Sequence, residues 1–459
     1  MPSRILLVSF NRYKQPFPVY PLGLTYVADA LSAAGHQVLF VDLNIDEADW
    51  VEKARTFHPQ LTGIAIRNVD EVMIGETDTL LGGLESVVAK CREISSGPVI
   101  IGGTAVSLFP REILEFSGAD YAVRGEGERA FAELATSVEK GEEPSAPWLL
   151  KRGETHLPTP APSTFCTRYN EAVREQIAPY YIETSGMLNI QTQRGCPLRC
   201  CYCTYPSIEG RAVRRKEVDA VIEELQLVKR MGARYFFLVD GVFNTSNNYV
   251  TRLCEAMIRA NLDLSWCAFL RPSNINRDLA LLMARAGLAH AECGSDTLSP
   301  RMLKSFGKNF TLEAALEATR NLNEAHIKTC HYIIFGGPGE NEETVRETFE
   351  HSRELPDSVF MSSVGIRVYP RTALYESLVK ENPEFARKSL LKPCYYLSPA
   401  FTEASLHTLI QGLAKGRSEW IVPPAPPGLD EEMNRLRKKG ILGPLWDYME
   451  LMQRFNRAG

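Results

Sequence analysis

The stretch Arg194-Gly195-Cys196-Pro197-Leu198-Arg199-Cys200-Cys201-Tyr202-Cys203, directly after the apolar run Leu188–Gln193, decides how this chain is read. Four of the eleven cysteines lie between Cys196 and Cys203, and the other seven are scattered. An odd, scattered set argues against a disulfide framework, so the cluster has its own cause. Leu188–Gln193 opens a series of strand candidates that continues through Tyr235–Asp240, Leu264–Phe269, His290–Gly294, Thr329–Phe335 and Val359–Val368. Helical patterns separate them. In Lys216–Met231, for example, Val218, Val221, Ile222, Leu225 and Val228 fall on one face, and Gly232 ends the helix. Six such units predict a partial (βα)6 barrel of the TIM type over residues 186–376. Barrel chemistry sits at the carboxyl ends of the strands, and the cysteines stand at the end of the first.

Upstream, Arg4–Ser9, Gln37–Asp42, Gly63–Arg67, Pro98–Gly102 and Tyr121–Arg124 alternate with helical segments such as Leu22–Ala34 and Thr79–Ile94. This alternation predicts an α/β domain over 1–140, a doubly wound, Rossmann-like parallel sheet. Ligands of such sheets bind at the carboxyl strand ends. Uncommon residues collect there: Asn11 after the first strand, and Asn68 and Asp70 after the third. Gly102, Gly103, Thr104 and Ser107 follow the fourth, and Gly125, Glu126 and Gly127 the fifth. Residues 141–185 are proline-rich with little periodicity and read as a linker. Residues 377–459 read as a small, mainly helical region near the substrate pocket.

The 459 residues carry a formal charge of −5, which excludes a global basic field for nucleic acid. The run Arg211, Arg214, Arg215, Lys216 is local and reads as a solvated loop. No apolar stretch reaches the ~18–20 residues needed to span a bilayer, and no secretory signal pattern opens the chain. Unpaired thiols then predict a cytoplasmic protein.

The cysteine spacing is C-x3-C-x2-C. Three thiolates on one tight loop ligate three irons of a 4Fe–4S cubane and leave the fourth iron open. An open iron can chelate the amino and carboxylate groups of S-adenosylmethionine, and electron transfer into the sulfonium then yields a 5′-deoxyadenosyl radical. The alternative is a zinc loop, but structural zinc sites are closed with four ligands and no second cysteine pair appears. Cys196, Cys200 and Cys203 are the candidate catalytic and metal-ligating residues. Cys201 is off the spacing and reads as a packing residue.

This loop, with Tyr202 before its last cysteine, resembles the signature of the radical S-adenosylmethionine (SAM) superfamily, over Met187–Tyr375. The resemblance implies SAM contacts by Tyr202 and by the turn Gly336-Gly337-Pro338-Gly339-Glu340 after the fifth strand. It also implies contacts by Glu292 and Ser295 on the fourth strand and by Asp240 at the end of the second. The second strand ends Val239-Asp240-Gly241 rather than in the family's Gly-Gly-Glu, a departure at that position. Arg271 and Arg367 are candidate carboxylate partners.

The first 140 residues resemble the cobalamin-binding domains of cobalamin-dependent radical SAM enzymes, through Tyr20-Pro21-Leu22-Gly23-Leu24, Ile101-Gly102-Gly103-Thr104 and Arg124-Gly125-Glu126-Gly127-Glu128. The D-x-H-x-x-G signature is absent. The implied cobalamin is therefore not histidine-ligated, and its lower face falls to the loop Arg67-Asn68-Val69-Asp70, with the residue open. The activity implied is C-methylation of an unactivated carbon. Radical cyclisation, ring contraction or rearrangement on the same scaffold is an alternative, and an iron–sulfur binding or sensing protein is another. The implied partners are a small-molecule, lipid or peptide substrate and a reductant such as flavodoxin or ferredoxin.

Overall fold

The computed structural model describes residues 2–448 apart from 15–16, 47, 76–77, 162–164, 166–167 and 424–428. The chain forms two compact units. The first comprises Met1–Glu71, Thr77–Thr184 and Thr204–Gly210; the second comprises Val72–Glu76, Ser185–Cys203 and Arg211–Gly459.

The first unit is built on strands β1 (Arg4–Ser9), β2 (Gln37–Asp42), β3 (Leu61–Ala65), β4 (Val99–Gly102), β5 (Tyr121–Val123) and β6 (Leu149–Lys151), in sheet order β2-β1-β3-β4-β5-β6. The first five run parallel, and β6 is antiparallel to β5. Ile5, Leu6, Leu7 and Val8 are all fully buried, as a parallel strand covered on both faces requires. Helices α1 (Leu22–Ala33), α2 (Trp50–Phe57), α3 (Leu84–Ile94), α4 (Thr104–Leu108), α5 (Pro110–Ser117) and α6 (Gly127–Lys140) connect the strands. The order reverses between β1 and β3, so the two chains leaving these strands diverge and open a crevice.

Residues 141–185 differ from the expected linker, because they carry β6 and helix α7 (Glu171–Ser185). Helix α7 buries Val173, Ile177, Ala178 and Tyr181, and an ion pair adds to this apolar face. Arg174 Nη2 lies 2.6 Å from Asp29 Oδ2 of α1, and both side chains are buried. The guanidinium also stacks over Tyr169 and Tyr26 at 4.8 and 5.5 Å. The apolar stripe is short, Pro179 lies inside the helix, and the prolines before it read as loop, so the sequence hides it. Helix α8 (Tyr205–Ile208), just after the cysteine loop, packs with α4 in this unit.

The second unit is a parallel sheet in the order β17-β14-β13-β12-β11-β10-β7. Its strands are β7 (Leu188–Ile190), β10 (Tyr235–Leu238), β11 (Ser265–Leu270), β12 (Leu288–Asp296), β13 (Lys328–Phe335), β14 (Ser358–Val364) and β17 (Trp420–Ile421). Six of them are the expected series. The seventh, β17, comes from the region expected to be helical. Between them run α9 (Val218–Arg230), α10 (Asn247–Arg259), α11 (Arg277–Arg285), α12 (Pro300–Ser305), α13 (Leu312–Glu324) and α14 (Glu342–His351). Leu303, Leu316, Phe335, Phe349, Phe360 and Trp420 share one buried core.

Two expected strands are broken. The Asp240 carboxylate accepts from Thr192 N at 2.7 Å and Gln193 N at 3.1 Å, so the chain leaves β7 early. It then forms a small antiparallel ribbon, β8 (Gln193–Arg194) with β9 (Arg214–Arg215). At the other end, Gly365 at φ 75° separates β14 from β15 (Ile366–Arg367), which pairs with β16 (Tyr395–Tyr396). No described helix is long and apolar enough to cross a membrane.

Candidate active site

In the second unit the cysteine loop is strapped to its neighbours through backbone. Cys201 N donates to Phe306 O at 3.0 Å, and Cys201 O accepts from Leu374 N at 2.8 Å. Gly307 is required here. Its φ is 71°, and a Cβ on it would lie 2.6 Å from Arg199 O. Cys196 is buried, whereas Cys200, Cys201 and Cys203 are half-buried. Burial pushes the Cys201 thiol up to about 12, which suits a packing residue.

Beside the thiols lies a buried ion pair that the sequence did not reveal. Lys308 Nζ pairs with Asp296 and donates to Gly294 O at 3.1 Å. Tyr202 donates its hydroxyl to the same Asp296 carboxylate, and its ring meets Phe306 edge-on at 5.8 Å. Burial alone would lower the Lys308 pKa, but Asp296 and the Cys200 and Cys203 thiols outweigh it and hold it up. Arg271 is the other cation. Burial lowers its pKa, Cys196 opposes that, and its Nε is buried with no partner among the described residues.

The remaining expected residues divide. Asp240 is fully buried with both oxygens engaged by Thr192 and Gln193, so it positions the strand before the cysteines. Ser295 lies on the other face of β12 from Glu292. Its hydroxyl is 2.6 Å from His331 Nδ1. Arg367 leaves the barrel sheet with β15 and donates to Val368 O and Leu390 O, both at 2.7 Å. Glu292 is buried inside the sheet, accepts from Trp446 Nε1 at 3.1 Å, and burial pushes its carboxyl up to about 7. In the glycine turn, Glu340 folds back to accept from Gly336 N and Gly337 N, and Pro338 O accepts from Ser305 Oγ. A Cβ on Gly337 would fall 2.1 Å from Phe306 Cε1. Gly337 thus serves close packing of the turn against Phe306, while a Cβ on Gly336 would meet Leu397 Cδ1 at 2.5 Å.

In the first unit, the crevice at the ends of β1 and β3 is a cleft of about 340 Å³. Asn11 and Asn68 both line it, with Arg12, Lys14, Arg67 and Glu71. Asp70 is buried and is not among the lining residues. Arg67 is exposed, and the protein around it lowers its pKa, against Tyr205 and Tyr181. Gly102 has nothing within 3.8 Å of where a Cβ would stand, so flat approach to its backbone is open, and Thr104 beside it is exposed. Other glycines are spent on structure. A Cβ on Gly103 would meet Ile66 O at 2.5 Å, one on Gly125 would meet Ala161 N at 2.6 Å, and one on Gly127 would meet Val27 at 2.8 Å. Ser107 ties two of these turns together, donating to Gly103 O and accepting from Gly125 N. Glu126 is half-buried at the N-terminus of α6.

Residues 190–351 match the model of the radical SAM superfamily, and residues 11–135 match that of the B12 binding domain. The chain joins a B12-binding domain to a radical SAM domain. As a radical SAM enzyme it has relatives with different products. It is 25% identical to a tryptophan 2-C-methyltransferase of Streptomyces laurentii, over 79% of this chain and 73% of that one. It is 26% identical to an anaerobic magnesium-protoporphyrin IX monomethyl ester cyclase of Rubrivivax gelatinosus, over 73% of this chain and 62% of that one. Its fold matches the radical SAM methyltransferase TsrM of Kitasatospora setae, solved with cobalamin and a [4Fe-4S] cluster. The TM-score is 0.85, with 22% identity and full coverage of both chains.

Proposed function

We propose that this protein is a cobalamin-dependent radical SAM methyltransferase acting on an unactivated carbon of a small-molecule, lipid or peptide substrate in the cytoplasm. The observation that carries this reading is the presence in one chain of a strapped three-cysteine loop flanked by the cations Lys308 and Arg271, and of a cleft lined by Asn11, Asn68 and Arg67 at the switch point of the first sheet. When bound, the cluster with SAM supplies a carbon-centred radical, and cobalamin supplies the methyl group.

The chain's own residues fit these groups. Cys196, Cys200 and Cys203 hold the irons. Arg271, whose buried Nε has no partner, and Lys308 offer positive charge to the SAM carboxylate. Tyr202 fixes Asp296 and with it Lys308. Asn11, Asn68 and Gly102 suit the amide rim and flat face of a corrin. We assign the lower face to Arg67, because it is the exposed cation of the β3 loop and lines the cleft. A guanidinium has no lone pair to donate, so Arg67 would line the site without being a metal ligand.

Likeness to the cyclase favours a second reading, radical cyclisation without methyl transfer. One experiment separates them. Protein reconstituted without oxygen should hold about four irons, as a single cubane requires, and about one cobalamin. With SAM and reductant it should raise the product mass by one methylene. A product that lost hydrogen without that gain would replace methylation by cyclisation, and failure to take up cobalamin would sink both.

A further inference from the structure

The chain that follows helix α12 carries a charge up to the cysteines. Cys201 N donates to Phe306 O at 3.0 Å, and a Cβ on Gly307 would stand 3.9 Å from Cys200 Cα. The next residue is Lys308, whose side chain is 7% exposed. Its ammonium lies 5.8 Å from the centre of the Tyr202 ring, and Tyr202 directly precedes Cys203. Asp296 is its ion-pair partner, and Gly294 O accepts from it at 3.1 Å. The Asp296 carboxylate also accepts from the Tyr202 hydroxyl, so the pair is tied to the loop from both sides. Both charges act on the Cys200 thiol, the Lys308 cation more strongly than the Asp296 carboxylate. A buried ion pair of this kind is often replaceable by apolar side chains with no loss of stability. Its place beside three cysteines therefore calls for a use other than folding.

We infer that Lys308 tunes the reduction potential of the cluster held by Cys196, Cys200 and Cys203, raising it, and that Asp296 limits the rise. The inference rests on the proposed cluster site. One electron enters the cluster from a low-potential one-electron donor, taking it from the 2+ to the 1+ state, and no bond forms or breaks. The reduced form carries one more negative charge, so a fixed cation stabilises it more than the oxidised form. Net charge, hydrogen bonds at the sulfurs and solvent exposure are what set such potentials. Arg199, exposed on the loop itself, is screened by water and salt, whereas Lys308 is not.

The test is a dithionite redox titration of the reconstituted full chain without SAM, read by the electron paramagnetic resonance signal of the 1+ cluster. Asp296→Asn leaves the cation unopposed and should raise the midpoint potential. Asp296→Asn/Lys308→Met removes both charges, strands neither, and should bring the midpoint below that of the wild type. The two variants should differ about tenfold in the ratio of reduced to oxidised cluster at a fixed potential, which is about 59 mV for one electron. Arg199→Glu, a charge reversal in solvent, should move the midpoint far less. Iron content measured on each sample separates a shifted potential from a lost cluster. Variants that keep their iron and titrate as wild type, or a double variant at or above the wild-type midpoint, would overturn the inference and leave the cluster reading standing. So would variants that weaken SAM binding at an unchanged midpoint, since Lys308 would then serve the SAM carboxylate alone. Absence of iron in the wild type would instead remove the cluster reading, and the tuning with it.

Discussion

Replacing Asp296 by Asn tests the ion pair beside the cysteines. Asp296 sits at φ 62°, which Asn tolerates, so the backbone is not perturbed. Its side chain is 10% exposed and that of Lys308 is 7% exposed, which places both charges out of water. Removing one partner of a buried pair costs about 3–5 kcal/mol, because the other charge is left uncompensated. Gly294 O still accepts from Lys308, so the lower end applies, about 3 kcal/mol. For a unit of this size that is a fall of about 5 °C in Tm. Calorimetry of the second unit's transition should show it. Adding Lys308→Met, which removes the stranded charge at similar length, should restore most of the loss. If D296N shifts the transition by less than about 2 °C, or the double variant is as unstable as the single, the pair is not what holds this corner.

Three further outcomes follow from the geometry. Glu292 has a folded pKa of about 7 against an ordinary 4.5. Stability is therefore fully present below pH 4.5 and falls by about 3 kcal/mol as pH rises through 7; Glu292→Gln should remove that slope in urea titrations run across this range. Gly337→Ala places a Cβ 2.1 Å from Phe306, so it should cost about 1–3 kcal/mol by overpacking and lower iron retention on gel filtration. Alanine at Cys196, Cys200 and Cys203 together should abolish the brown chromophore and 5′-deoxyadenosine, whereas Cys201→Ala, whose contacts are through backbone, should keep both.

The sequence alone determined the cysteine loop and both parallel sheets, because these rest on local order: a fixed spacing within one turn of chain, and apolar runs alternating with helical stripes. It also pointed to the crevice, since Asn11 and Asn68 follow neighbouring strands of any doubly wound sheet. What only the tertiary structure decided are pairings across long stretches of chain. Lys308 carries no motif, and its role comes from the bulge in β12 that brings Asp296 to it. Arg174 finds Asp29 across 145 residues, turning an apparent linker into part of the first unit. Ser295 and Glu292 are three residues apart, yet the pleat sends one toward His331 and the other toward Trp446. Which face of a strand meets the site depends on register against its neighbours, and register is set by packing that no single segment contains.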